Sequence, residues 1–171
     1  MPLQAIELVE CEAFRTLDMS SLLTIGAGGA AAPSKMVETI SKLGRGATNG
    51  YGLTETAGGV CSIGGPEYLK RPASCGKPNP IVDVMVVDAS GHPLRKGSPG
   101  ELVVRGAIVF RGYWNKPDAT EKAFFRGGWF RTGDLAVQDD EGYVTVLDRI
   151  KDLVIRAGEN ISCAEIEDVA C

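Results

Sequence analysis

Two glycine-rich strings hold the residues best suited to chemistry. The first, Gly26-Ala-Gly-Gly-Ala-Ala31, stands between an apolar run and a helical pattern, where glycines let backbone amides approach a phosphate. Its spacing overlaps the Gly-x-Gly-x-x-Ala dinucleotide fingerprint, but that fingerprint also needs an acid at a strand end about 20 residues onward. The stretch from Arg45 to Gly50 has none, so a tight turn explains the cluster equally well when it is taken alone. The second string, Asn49-Gly-Tyr-Gly-Leu-Thr-Glu-Thr56, sets a flat aromatic between glycines and follows it with a hydroxyl and a carboxylate. Serine-hydrolase chemistry is excluded. The single histidine, His92, lies in a Ser-Gly-His-Pro turn, and no Gly-x-Ser-x-Gly elbow occurs, so a triad has neither base nor nucleophile.

The elements that must position these strings change character along the chain. Leu3, Ile6, Val9 and Ala13 fall at helical spacing from Pro2 to about Phe14. Leu22 to Ile25 is expected to be a strand broken by Gly26 to Gly29, and Pro33 to Leu43 a helix through Met36, Val37 and Ile40. From about residue 80, short β segments are expected at Ile81–Asp88, Glu101–Arg105, Val109–Trp114, Leu135–Gln138 and Tyr143–Leu147, separated by turns such as 88–93 and 139–142. Asp152 to Arg156 reads as one further strand. Ser162-x-x-Glu165 is a capping box opening a helix through Ile166 and Val169. The fold class is therefore an α/β start, a small β-barrel-like unit, and the beginning of a C-terminal α+β domain. The expected boundaries are 1–79, 80–148 and 149–171. Because an amphipathic helix stops at Cys171 before three turns, a longer parent chain is expected.

Composition favours small-molecule chemistry. The chain has 171 residues, 44% hydrophobic and 23% charged, with a net charge of −4, which gives no electrostatic reason to expect nucleic acid or an anionic membrane as partner. No apolar run approaches the roughly 20 residues of a membrane span, and the expectation is a cytoplasmic protein. The five cysteines lack a Cys-x-x-Cys pair and read as reduced thiols rather than zinc ligands.

The Tyr-Gly-x-Thr-Glu string, preceded by Gly-Gly-Ala, resembles the signature of the adenylate-forming superfamily: acyl-CoA synthetases, luciferases and peptide-synthetase adenylation domains. Three further strings resemble the same family in the same order: Gly100-Glu-Leu-Val-Val-Arg-Gly106, Trp129-Phe-Arg-Thr-Gly-Asp134, and the run from Asp148 to Ile161. The resemblance implies an AMP-forming acid–thiol ligase that uses ATP, Mg²⁺ and CoA on a small carboxylic acid. It also implies site residues. Gly28, Gly29, Ala30, Asn49, Gly50, Tyr51, Gly52, Thr54, Asp134 and Arg149 would meet the nucleotide, with Tyr51 stacking on adenine and Asp134 receiving the ribose hydroxyls. Thr54 and Glu55 would act at the phosphates, Glu55 through Mg²⁺. Lys151 would be the hinge, and Gly158, Glu159 and Asn160 would line the pantetheine channel. Gly28, Gly52, Ala57 and Gly58 would leave room for an acyl chain. The Gly100–Gly106 segment is expected to be structural, since apolar alternation accounts for it. The Arg71–Gly76 and Arg156–Ile161 strings favour medium- or long-chain fatty acids over peptide-synthetase or luciferase substrates. The family's lysine-ended phosphate loop and its C-terminal lysine are not in this sequence, so the chain is expected to be an internal, inactive fragment. A non-catalytic remnant is the alternative.

Overall fold

A computed structural model describes residues 7, 8, 10–18, 20–28, 34–42, 44, 46–152, 154–156 and 159–161. The chain divides into two compact units, Met1–Asn79 and Pro80–Cys171.

The first unit is built on a four-stranded mixed sheet. Strand β1 (Thr24–Gly28) runs parallel to β2 (Gly46–Tyr51), and the helix between them, Ser34–Lys42, makes the crossover that parallel strands require. Strands β3 (Cys61–Gly64) and β4 (Lys77–Pro78) then add antiparallel. A shorter helix, Glu12–Thr16, precedes β1, and Gly65–Lys70 follows β3; in chain order the helices are α1 (Glu12–Thr16), α2 (Ser34–Lys42) and α3 (Gly65–Lys70). Met36, Val37 and Ile40 repeat at helical spacing and are all buried, while Glu38 faces solvent, so α2 buries one stripe. The strand expected at Leu22–Ile25 instead begins at Thr24 and continues through the glycines to Gly28. Parallel pairing with β2 satisfies the backbone there, which outweighs the low strand propensity of glycine.

The second unit is a five-stranded antiparallel sheet. Strands β5 (Val82–Val87), β6 (Gly100–Gly106), β7 (Phe124–Phe125), β8 (Trp129–Gln138) and β9 (Val144–Arg149) join in the order β5-β6-β8, and β8 pairs with β7 near its start and β9 near its end. Leu102, Val103 and Val104 of β6 are each 0% exposed, as befits a central strand covered on both faces. Helix α4 (Pro117–Ala123) precedes β7. The β segment expected at Val109–Trp114 does not form; those residues are irregular, between Gly106 and α4. Phe110 packs instead among Tyr113, Phe124 and Phe130 at ring distances of 4.8, 5.6 and 5.4 Å, so the aromatic content reflects packing rather than strand pairing. At the turn after β5, the Asp88 carboxylate accepts the Ser90 and His92 backbone N–H groups at 2.8 and 2.9 Å. His92 therefore serves a turn. A 3-10 turn at Ile150–Asp152 leads to the hairpin β10 (Val154–Arg156) and β11 (Glu159–Ile161), so the strand expected from Asp152 starts two residues later. The capping box at Ser162 and Glu165 lies outside the described residues.

Among the described residues, no helix is long and apolar enough to cross a membrane. Cys11, Cys61 and Cys75 are free thiols. The side chains of Cys61 and Cys75 are hydrogen-bonded inside the first unit, and that bond, burial and the neighbouring thiol's charge push the Cys61 thiol far up from its ordinary value.

Candidate nucleotide-site segments

The Tyr51 segment is closed by its own backbone. Strand β2 ends at Tyr51 and the chain turns back at once: the Gly58 N–H donates to the Leu53 carbonyl and the Val60 N–H to the Tyr51 carbonyl, both at 2.9 Å. A Cβ on Gly52 would lie 2.3 Å from the carbonyl carbon of Gly58, so only glycine fits this closure. Residues Thr54–Thr56 form a 3-10 turn. Its two threonines differ in role. Thr56 is 0% exposed, and its hydroxyl donates to the Leu53 carbonyl and accepts the Leu53 N–H. Thr54 is exposed at the start of the turn with Glu55 half-buried beside it, leaving a hydroxyl and a carboxylate at the strand end.

Strand alternation gives this sheet two unlike faces. Ile25, Ala47, Asn49 and Ile63 are buried on one. On the other, Gly28, Gly50 and Ser62 lie side by side, as do Gly26, Thr48 and Gly64. A cavity of about 480 Å³ is lined by Thr48, Asn49, Gly50, Ser62, Ile63 and Gly64. A Cβ on Gly28 or on Gly50 would find its nearest neighbour at 3.5 Å, an ordinary contact. Packing inside the unit therefore does not require glycine at these two positions. Asn49 instead serves the unit's interior, where its carboxamide donates to the Ser74 carbonyl at 3.4 Å and accepts the Gly50 N–H at 3.0 Å.

In the second unit the functional candidates meet across β8 and β9. Asp134 and Arg149 are register partners, and the Arg149 Nε stands 2.8 Å from Asp134 Oδ1. The Asp134 side chain is 4% exposed and that of Arg149 49%, so the guanidinium reaches from solvent to a nearly buried carboxylate. Residues 2–114 match the AMP-binding enzyme family. The chain belongs to that family. Its relatives include a feruloyl-CoA synthase of Amycolatopsis sp, 41% identical over 91% of this chain and 31% of that protein. They also include a long-chain-fatty-acid–CoA ligase of Escherichia coli O157:H7, 40% identical over 95% of this chain and 29% of that protein. Among solved structures, the O-succinylbenzoate coenzyme A synthetase of Bacillus subtilis, in complex with ATP and magnesium ion, aligns with a TM-score of 0.88 at 33% identity over 98% of this chain and 34% of that one. The chain thus spans about a third of the proteins it matches, and its fold is that of adenylate-forming enzymes.

Within this member of the AMP-binding enzyme family, the structure brings Asn49 to Gly58 into one strand-and-loop segment and Asp134 with Arg149 into one pair. Ala57 is exposed in the left-handed region at φ 49°, followed by Gly58 at φ 77°. Lys151 is exposed in the 3-10 turn after β9. Gly29, Ala30 and Gly158 lie outside the described residues. Glu159 and Asn160 stand in β11 opposite Arg156 and Ile155. Sequence reasoning missed Thr48, Ser62 and Gly64 on the small-residue face. The signal was present as alternation of Gly, Thr and Ser in three strands, but it becomes a surface only once their register is known.

Proposed function

We propose that this chain carries nucleotide- and acid-binding segments of an ATP-dependent acid–CoA ligase, which joins a carboxylic acid to AMP and then to CoA. The observation that carries this reading is the pair Gly28 and Gly50, where the unit itself would accept a methyl group yet keeps its surface bare beside Tyr51. A bare backbone is what close approach of a flat or chain-like ligand needs. Tyr51 stacks on adenine, with Gly28, Gly29, Ala30 and Gly52 at the base and phosphate. Thr54 donates to a phosphate oxygen, and Asp134 with Arg149 meets the ribose. Glu55 holds Mg²⁺: one carboxylate suffices, because magnesium keeps several waters and takes phosphate oxygens for the rest of its shell. When bound, the metal neutralises triphosphate charge. The chain's own groups orient the α-phosphate and exclude alternative poses.

The acid is a medium- or long-chain fatty acid lying along the Thr48, Gly50 and Ser62 face, with Ala57 and Gly58 beside it. An aryl acid is the second reading, favoured by the 41% identity to the feruloyl-CoA synthase. The turn at Ile150–Asp152 is a hinge with Lys151 as pivot, and Gly158, Glu159 and Asn160 line the CoA channel. The 171-residue polypeptide alone is inactive, because adenylation depends on cations that its sequence does not supply. With ATP, Mg²⁺, CoA and a fatty-acid panel it releases no pyrophosphate; turnover near the enzyme median of about 10 s⁻¹ overturns that statement.

AMP titration followed by amide shifts tests the nucleotide site. Stacking contributes about 0.5–1.5 kcal/mol and a charged hydrogen bond roughly 1.5–3 kcal/mol, which after association entropy leaves about millimolar affinity. Shifts should cluster at 49–55 and 131–134 and vanish in Tyr51→Ala combined with Asp134→Ala. Decanoate and ferulate, titrated in parallel, separate the two acids by which one moves the Gly50, Ser62 and Gly64 amides.

A further inference from the structure

Asp134 stands on a bulge whose polar groups are satisfied by side chains. Glu101 pairs with Leu135 and Val103 with Arg131, so Thr132, Gly133 and Asp134 together face the single residue Leu102. Such a bulge re-aims the side chain it carries. Gly133 takes the left-handed conformation at φ 73°, which glycine adopts without steric cost. The Gly133 N–H donates to Glu101 Oε1 at 3.3 Å, and Arg131 Nη1 stands 2.6 Å from Glu101 Oε2. The Thr132 hydroxyl donates to the Leu102 carbonyl at 2.7 Å and accepts the Asp134 N–H at 3.1 Å. The Arg131 guanidinium lies over the Phe125 ring at 5.1 Å, which restricts the ion pair further.

We propose that Glu101, through the Gly133 amide and the Arg131 guanidinium, is the positioning residue that holds the Asp134 carboxylate in the orientation used for ribose. This rests on the nucleotide reading of Asp134. The side chain of Glu101 is only 12% exposed, and withdrawing a carboxylate from water costs more than burying an apolar residue on the same strand. Burial on this strand would by itself be met by an apolar residue at 101. What such a residue could not do is accept the Gly133 N–H, which would then be left without that partner within the bulge. A carboxylate that must meet two vicinal hydroxyls tolerates little misplacement, and the bulge is the segment that sets its direction.

The test compares Glu101→Ala and Glu101→Gln in the 171-residue chain by NMR, with Asp134→Ala as reference. Glutamine keeps an acceptor for Gly133 and removes the charge. Glu101→Ala should speed Gly133 amide exchange about tenfold, shift the Asp134 carboxyl ¹³C signal, and weaken AMP binding about tenfold. Glu101→Gln should return AMP affinity to within about threefold of wild type, a rescue that general loss of stability would not give. The Leu102 to Val104 amides report whether each variant is folded; if Glu101→Ala is not, Glu101→Gln and Arg131→Met carry the comparison: both keep an acceptor for the Gly133 N–H, so both should leave Gly133 exchange within about threefold of wild type, and faster exchange in either overturns the inference. Unchanged Gly133 exchange or unchanged AMP affinity in folded Glu101→Ala overturns the inference alone. So does a glutamine variant as weak as alanine. Wild-type Asp134 that ignores AMP overturns the proposed function, and the positioning role with it.

Discussion

The Tyr51–Val60 loop and the Thr132–Asp134 bulge each carry a residue proposed above to meet nucleotide, yet they are held by opposite means. The loop is closed by backbone hydrogen bonds and by the contact of Gly52 with Gly58, and the Thr56 hydroxyl reinforces that closure at Leu53. The bulge is fastened by the side chains of Glu101, Arg131 and Thr132. A structure closed by backbone contact fails when atoms are added, whereas one fastened by side chains fails when atoms or charges are removed. The two segments should therefore respond to different substitutions.

The largest effect is expected from adding one carbon to the loop. Gly52→Ala places a methyl 2.3 Å from the Gly58 carbonyl carbon, so the loop must open, at a cost of about 3 kcal/mol. Urea denaturation followed at Tyr51 checks this, and a midpoint equal to wild type would mean that the backbone shifts freely. The same carbon at Gly50, with its nearest neighbour at 3.5 Å, should cost less than about 1 kcal/mol in stability while weakening ligand binding. That contrast separates a glycine required by folding from one kept for a ligand.

Removal of charge should matter more at the bulge. Arg149→Met leaves the nearly buried Asp134 carboxylate without its 2.8 Å partner. Because Arg149 is half-exposed, the loss is discounted to about 1–2 kcal/mol rather than the larger cost of a fully buried pair. Thermal unfolding at low and high salt measures it. Salt dependence should fall in the variant, and the loop substitutions should leave that dependence unaltered.

The turn at Asp88 offers a smaller, pH-dependent contrast within the second unit. Backbone hydrogen bonds from His92, ahead of that from Ser90, hold its carboxyl below the ordinary carboxylate value. A depressed carboxylate contributes stability that is fully present above the unfolded value of about 3.9 and is lost as pH falls through the lower folded value. Asp88→Ala should remove that part of the acid sensitivity, read from unfolding midpoints across the acid range. The smallest effect belongs to Ala57, at φ 49°. Ala57→Gly relieves the left-handed strain but loosens the unfolded chain, so stability should rise by a few tenths of a kcal/mol. A fall would show that the loop tolerates alanine without strain.

Much of this was legible in the chain itself. The 49–56 and 129–134 strings identified the family before any fold was known, because their residue types recur in fixed order. The hairpins of the second unit followed from alternation and turn residues, as at Val82–Val87 and the Asp139–Gly142 turn. Val109–Trp114 misled for a physical reason: aromatic and β-branched residues favour strands and aromatic clusters alike, and the choice is made by whether a partner strand is free to pair.

What the tertiary structure alone decided are the roles that depend on partners distant in sequence. Gly133 and Glu101 are 32 residues apart, and nothing local to either says that an amide of one meets a carboxylate of the other. Apolar alternation explains Gly100–Gly106 as a strand but leaves its glutamate without a purpose until the register with β8 sets Glu101 beside the bulge. The same holds for the bare face formed by Gly28, Gly50 and Ser62, which lie on three strands. Residue types record what a side chain can do; register and bulges, arising from pairing across the whole sheet, determine which partner it meets.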